Sequence, residues 1–114
     1  MEAMQPKFNL WLEANDEVVF STWRAALLKA VGETGSISAA AAQMNIQYRT
    51  AWQKINEMET RLSVKLVKTQ VGGQHGGGAT LTPAAQDYLD KFSRFSAAVE
   101  KVVETKYQET FGKA

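Results

Sequence analysis

Gly35-Ser36-Ile37-Ser38-Ala39-Ala40-Ala41-Ala42-Gln43-Met44-Asn45-Ile46-Gln47-Tyr48-Arg49-Thr50-Ala51-Trp52-Gln53-Lys54-Ile55 is the stretch that decides the fold. Ser36 is a helix N-cap residue, and Ile37 to Met44 follows as a short alanine-rich helix. Asn45 tolerates a positive φ and breaks it. A second helix starts near Tyr48 and runs to Leu62, with Ala51, Trp52, Ile55, Met58 and Leu62 as its expected apolar stripe. The Met44–Gln47 turn is too short for an antiparallel pair, so the two helices cross steeply. Ala40 and Ala41 let them approach, and Met44, Ile46, Ala51 and Ile55 fill the angle between them. A helix-turn-helix over 36–62 is the expectation.

Outward from this corner, the preceding segment reads as a helix from Ser21 or Thr22 to Thr34. Its expected buried face is Trp23, Ala26, Leu27, Ala30 and Val31, and Gly35 supplies the left-handed stop. Before it, Phe8, Leu10 and Leu12 alternate with polar neighbours, Ala14–Glu17 turns, and Val18–Phe20 returns, as in a β-hairpin over 7–20. Downstream, Leu66–Val71 and Ala79–Leu81 read as strands either side of Gly72-Gly73-Gln74-His75-Gly76-Gly77-Gly78. Region 65–82 is therefore a wing. Thr82-Pro83 opens a last helix, 83–107. The class is mainly α with a small β component: one winged helix-turn-helix domain, 1–114, with an N-terminal hairpin and a long C-terminal dimerisation helix.

Composition sets bounds on function. The chain has 114 residues, a net charge of +1, one histidine and no cysteine. Disulfides, thiolate metal sites and a histidine-built zinc site are excluded, and no cofactor is expected. No apolar run suits a membrane span and no signal peptide is visible, so a cytoplasmic protein is expected. Residues 36–82 carry five basic and two acidic side chains, so the positive charge collects around the corner.

The second helix of such a pair enters the DNA major groove with its N-terminal residues on base edges. The candidates are Gln47, Tyr48, Arg49 and Gln53, with Asn56 beyond them. Arg49 suits guanine, and Gln47 or Gln53 suits adenine. Lys54 and Arg61, and the hydroxyls of Ser36, Ser38 and Thr50, suit phosphates. Gln74 and His75 are the side chains offered by the glycine tip, where bare backbone can approach DNA closely. A phosphate loop is excluded because no Gly-Lys-Ser/Thr follows and the glycines precede a strand. His75 has no sequence neighbour suited to general-base work, and no nucleophile or acid–base pair points to an enzyme. Trp52 is expected in the core.

Along the last helix, Ala85, Tyr88, Phe92, Phe95, Val99 and Val102 recur at alternating steps of three and four, close to a coiled-coil seam. Residues 83–107 span about 37 Å at ~1.5 Å per residue, more than a small domain covers. The expected homodimer interface is Trp23, Phe92, Phe95, Val99 and Val102, which would set two recognition helices on one face of double-stranded DNA. A protein-interaction module built on the same fold is the alternative.

The quoted corner, together with Leu27–Val31, Ile55-Asn56-Glu57-Met58 and the segment Leu66–Thr82, resembles the DNA-binding half of the ModE family of molybdate-responsive repressors. LysR-type regulators share the first part of the pattern without the glycine-rich wing. The resemblance covers residues 8–106. It implies a winged-helix dimer on a palindromic operator, tied to molybdenum uptake or use. Gln47 stands where many relatives have a serine-like cap, and Asn45 where glycine is common. The family's molybdate-binding part would follow the last helix and is absent from this sequence. Two alternatives follow: a constitutive regulator, or one that depends on a separate effector-sensing protein.

Overall fold

The computed structural model describes residues 4–70 and 78–112. Two strands, β1 (Trp11–Ala14) and β2 (Glu17–Ser21), form the antiparallel N-terminal hairpin. Asn15 and Asp16 both have positive φ, 53° and 63°, which is the two-residue turn that matches strand twist. The hairpin is shorter than the alternation suggests. Phe8 and Leu10 precede it, and Phe8 and Leu12 remain exposed. The register shifts between Leu12 and Glu13, so Val19 is an extra residue opposite them. This bulge lets Val19 and Phe20 both be buried although they are adjacent in a strand.

Ser21, rather than Thr22, caps α1 (Thr22–Thr34), its hydroxyl accepting from the Arg24 N–H. Gly35 ends it at φ 81°. The buried face of α1 is Arg24, Leu27, Leu28, Ala30 and Val31. Trp23 and Ala26, expected on that face, are exposed. The helix is rotated because Arg24 is paired across the domain and can be buried in their place. Next come α2 (Ile37–Gln43) and α3 (Tyr48–Leu62). Strands β3 (Val67–Gln70) and β4 (Gly78–Leu81) pair antiparallel, Val67 opposite Leu81 and Gln70 opposite Gly78. They form the base of the wing.

Helix α4 (Pro83–Phe111) starts with proline in its first turn and Thr82 as cap, as its sequence dictates. The Thr82 hydroxyl accepts from the Ala85 N–H at 3.1 Å and donates to the Lys65 carbonyl at 2.7 Å. The helix continues one turn past Tyr107 and is about 43 Å long at ~1.5 Å per residue. Only its first third reaches the core, with Ala85 and Phe92 buried. The Cα radius of gyration is 17.4 Å, against about 13 Å for a compact chain of this size. The extents are 64 × 33 × 22 Å.

One core joins every element but β1: Phe20, Leu27, Leu28, Val31, Ile37, Ala40, Ala51, Ile55, Met58, Leu66, Val67, Ala79, Ala85 and Phe92 belong to it. Phe92, expected between two copies, is 6% exposed and meets Phe20 edge to face at 5.1 Å. Among the described residues, no helix is long and apolar enough to cross a membrane.

Candidate nucleic-acid interface

The helix corner is held by short local bonds. Ser36 Oγ accepts from the Ala39 N–H at 2.9 Å and starts α2. Asn45 takes φ 58°, and the Ile46 N–H reaches back to the Ala41 carbonyl at 2.9 Å. Ala40, Ala41 and Ala51 are buried on α2 and α3, where methyl side chains permit close approach of the two helices. Gln47 precedes α3 with extended backbone and makes no side-chain cap bond. The first N–H groups of a fifteen-residue helix therefore face outward without a protein acceptor from their cap.

Opposite the buried Ala51, Ile55 and Met58, α3 presents Arg49, Gln53 and Asn56 to solvent, with Gln47 and Tyr48 at its tip. Arg49 makes no ion pair among the described residues, so its guanidinium is available to an external partner. Thr50 and Ser36 are half-buried and Ser38 is exposed.

Behind this face lies an ion network. Arg24, 8% exposed, donates to the Lys54 carbonyl at 3.3 Å and to Glu57 Oε1 at 2.9 Å. Arg61 donates to the Val18 carbonyl at 2.8 Å and lies 3.8 Å from Glu57 and 3.6 Å from Glu17. Partial burial pushes the Glu57 carboxyl upward. The Arg24 hydrogen bond and the charges of Lys54, Arg24 and Arg61 outweigh this and hold it below its ordinary value. The network ties α3 to α1 and to the hairpin. Arg61 is committed to it and does not reach outward as expected for a phosphate contact. Lys54 leans on Glu57 at 3.7 Å but stays at the surface.

The wing base is fixed from two sides. Glu59 Oε2 accepts from the Leu66 and Val67 N–H groups at 2.9 and 3.0 Å. The Gly35 carbonyl accepts from the Ala79 N–H at 2.8 Å. Strands β3 and β4 are thus anchored to α3 and to the α1–α2 corner respectively. Gln74 and His75 lie outside the described residues, as does Val71.

This is a helix-turn-helix with an attached two-stranded wing. Residues 24–86 match the model of the bacterial regulatory helix-turn-helix proteins of the lysR family. The chain belongs to that family. It is also similar to the molybdenum-pterin-binding protein MopB of Rhodobacter capsulatus, 41% identical over 80 residues, 70% of this chain and 30% of that protein. To the transcriptional regulator ModE of Yersinia pestis it is 34% identical over 102 residues, 90% of this chain and 39% of that protein. The chain thus spans 30% and 39% of the length of these two curated relatives. Among solved structures, the CbnR DNA-binding domain crystallised with DNA superposes with a TM-score of 0.58 at 21% identity, covering 76% of this chain and 94% of that one. The BenM DNA-binding domain with catB site 1 DNA gives 0.57 at 18% identity, covering 81% and 97%. At these identities the likeness establishes the fold.

Within this family fold the expected surface residues of α3 come together on one face. The expected interface residues divide. Trp23, Phe95 and Val102 are exposed and Val99 is half-buried, while Phe92 is in the core. Between α1 and α4 runs a groove of about 670 Å³ whose walls include Ala25, Ala26, Leu89 and Ala97. Two features escaped the sequence. Arg24 sat in an apolar stripe, and that misplaced cation was the available signal for the network. Trp52, expected in the core, is 49% exposed. The buried arc of α3 is only wide enough for Ala51, Ile55 and Met58, because Leu27, Leu28, Val31 and Ala40 already fill the space behind it.

Proposed function

We propose that the chain is a sequence-specific DNA-binding transcriptional regulator of the ModE type that binds a palindromic operator as a homodimer. The observation that carries this is the outer face of α3: Gln47, Tyr48, Arg49 and Gln53 project from a helix whose opposite face is locked into the core. A side chain set of one guanidinium and two amides suits major-groove edges. Ser36, Ser38, Thr50 and Lys54 stand around it where phosphates would pass. Gln74 and His75 would add contacts from the wing tip.

A homodimer follows from the part of α4 that its own core does not use. Trp23, Phe95, Val99 and Val102 leave apolar surface along α1 and α4 that a second copy would cover. The names of its relatives support a link to molybdenum. The reading gives the domain no catalysis and no cofactor of its own, and places it in the cytoplasm. Molybdate sensing would come from another protein or another part of a longer chain.

Selection of bound duplexes from a random pool, followed by binding in rising salt, tests the proposal. A palindromic consensus whose affinity falls steeply and log-linearly with salt is expected. No enrichment would refute it and favour a protein-interaction module.

A further inference from the structure

Trp52 lies on the flank of α3 that faces the wing, one turn after Tyr48, which is 55% exposed. Its neighbours on the outer face, Arg49, Gln53 and Asn56, are polar. With Asn56, Glu59, Lys65 and Thr69 it lines a cleft of about 220 Å³ between α3 and β3, floored by Ile37, Ile55 and Val67; the Glu59 carboxylate there is already engaged by the Leu66 and Val67 N–H groups and by Lys65. Its indole N–H makes no hydrogen bond among the described residues, whereas that of Trp11 donates to Glu13 at 2.8 Å. A half-exposed indole with its N–H unpaired, at the edge of a polar face, leaves both apolar surface and a donor for something external.

The two walls of the cleft identify the occupant. Its spacing is set by the Glu59 and Gly35 anchors, so the cleft is part of the rigid frame. A duplex whose major groove receives α3 must pass one strand between that helix and the wing, over this opening. We propose that the sugar–phosphate edge of one DNA strand seats in the cleft between α3 and β3. The Trp52 ring packs on a deoxyribose and its Nε1–H donates to a phosphate oxygen. Thr69, exposed on the β3 wall, lies on the same path. This rests on the DNA-binding reading and adds to it a contact that is blind to sequence.

The test compares wild type with Trp52→Phe, Trp52→Leu and Arg49→Ala on two duplexes, a selected operator and a scrambled one, by fluorescence anisotropy in low salt. Trp52→Leu should weaken both duplexes by a similar factor, on the order of 10–30-fold, and Trp52→Phe by about 3–10-fold. Arg49→Ala should weaken chiefly the operator. Tryptophan emission of wild type should shift or quench on adding either duplex, and that change should be missing from Trp52→Phe, which keeps Trp11 and Trp23. Unchanged affinity of both Trp52 variants, with silent emission, overturns the cleft assignment while the DNA-binding reading stands. Loss confined to the operator also overturns it, because Trp52 would then read bases. Wild type binding neither duplex overturns both readings. Should Trp52→Leu not fold, Trp52→Phe and the emission change decide the matter alone.

Discussion

Replacing Phe92 by alanine should lower the unfolding free energy by about 3–5 kcal/mol, the usual range for emptying an aromatic site in a core. The ring is 6% exposed, so nearly all its area is taken from water within its own chain. Transfer alone accounts for about 1.5–3 kcal/mol. The edge-to-face pair with Phe20 at 5.1 Å adds about 0.5–1.5 kcal/mol. The remainder is the cavity, because Phe20 is itself held by the bulged strand β2 and cannot collapse into it. Phe95, one turn on and 47% exposed, is the control. Its alanine variant should cost the isolated fold under about 1 kcal/mol and act mainly on self-association. Urea unfolding followed by circular dichroism measures the first quantity, and sedimentation equilibrium the second. At a slope of about 1–3 kcal/mol per molar, the Phe92→Ala midpoint should fall by roughly 2 M. A loss below about 1 kcal/mol, accompanied by a weakened dimer, would refute the placement of Phe92 in the core.

Arg49→Ala should cost about 1–3 kcal/mol of operator binding and relax preference at a single base step in a repeat selection; unchanged affinity would mean that α3 docks differently. Val99→Glu with Val102→Glu should give monomers by sedimentation, and an unchanged mass would place the dimer contact elsewhere. Glu57→Gln keeps an oxygen that can accept from Arg24 but leaves that buried cation without its counter-charge, and should cost about 1 kcal/mol at neutral pH, the low end because the carboxylate is one-third exposed to solvent. Because the folded Glu57 titrates below its ordinary 4.5, its contribution is complete above that value and fades as pH falls through the lower folded one. Denaturation of wild type and Glu57→Gln should therefore converge in acid, and parallel curves would exclude the network as the cause. Gly35→Ala places a methyl in open space but at φ 81°, so it should lose about 1–2 kcal/mol from backbone strain alone, read as a fall in Tm of several degrees.

What could be read in the sequence is what neighbouring residues decide among themselves. Ser36, Thr82, Gly35 and Asn45 each satisfy or turn a backbone within four positions, and each does so in the fold. The outer face of α3 was equally legible, because its polar residues recur at helical spacing. What failed depends on partners distant in the chain. Phe92 belongs to the core because Phe20 waits for it across 72 positions, and only the bulge at Val19 turns Phe20 inward. Trp23 and Trp52 satisfied the helical period, but periodicity does not say how wide the buried arc is. Arg24 displaced an aromatic from the core face through a contact with Glu57, 33 residues away.

Gly35 ends α1, places the cap of α2, and offers its carbonyl to Ala79 on β4. One peptide unit therefore belongs at once to the reading helices and to the wing. The two are joined like the jaws of a calliper, with their spacing set by that bond and by the Glu59 anchor of β3. On the proposed reading, the distance from a major groove to the flanking backbone becomes something the domain measures. Operators would then be ranked partly by groove width at positions no side chain touches.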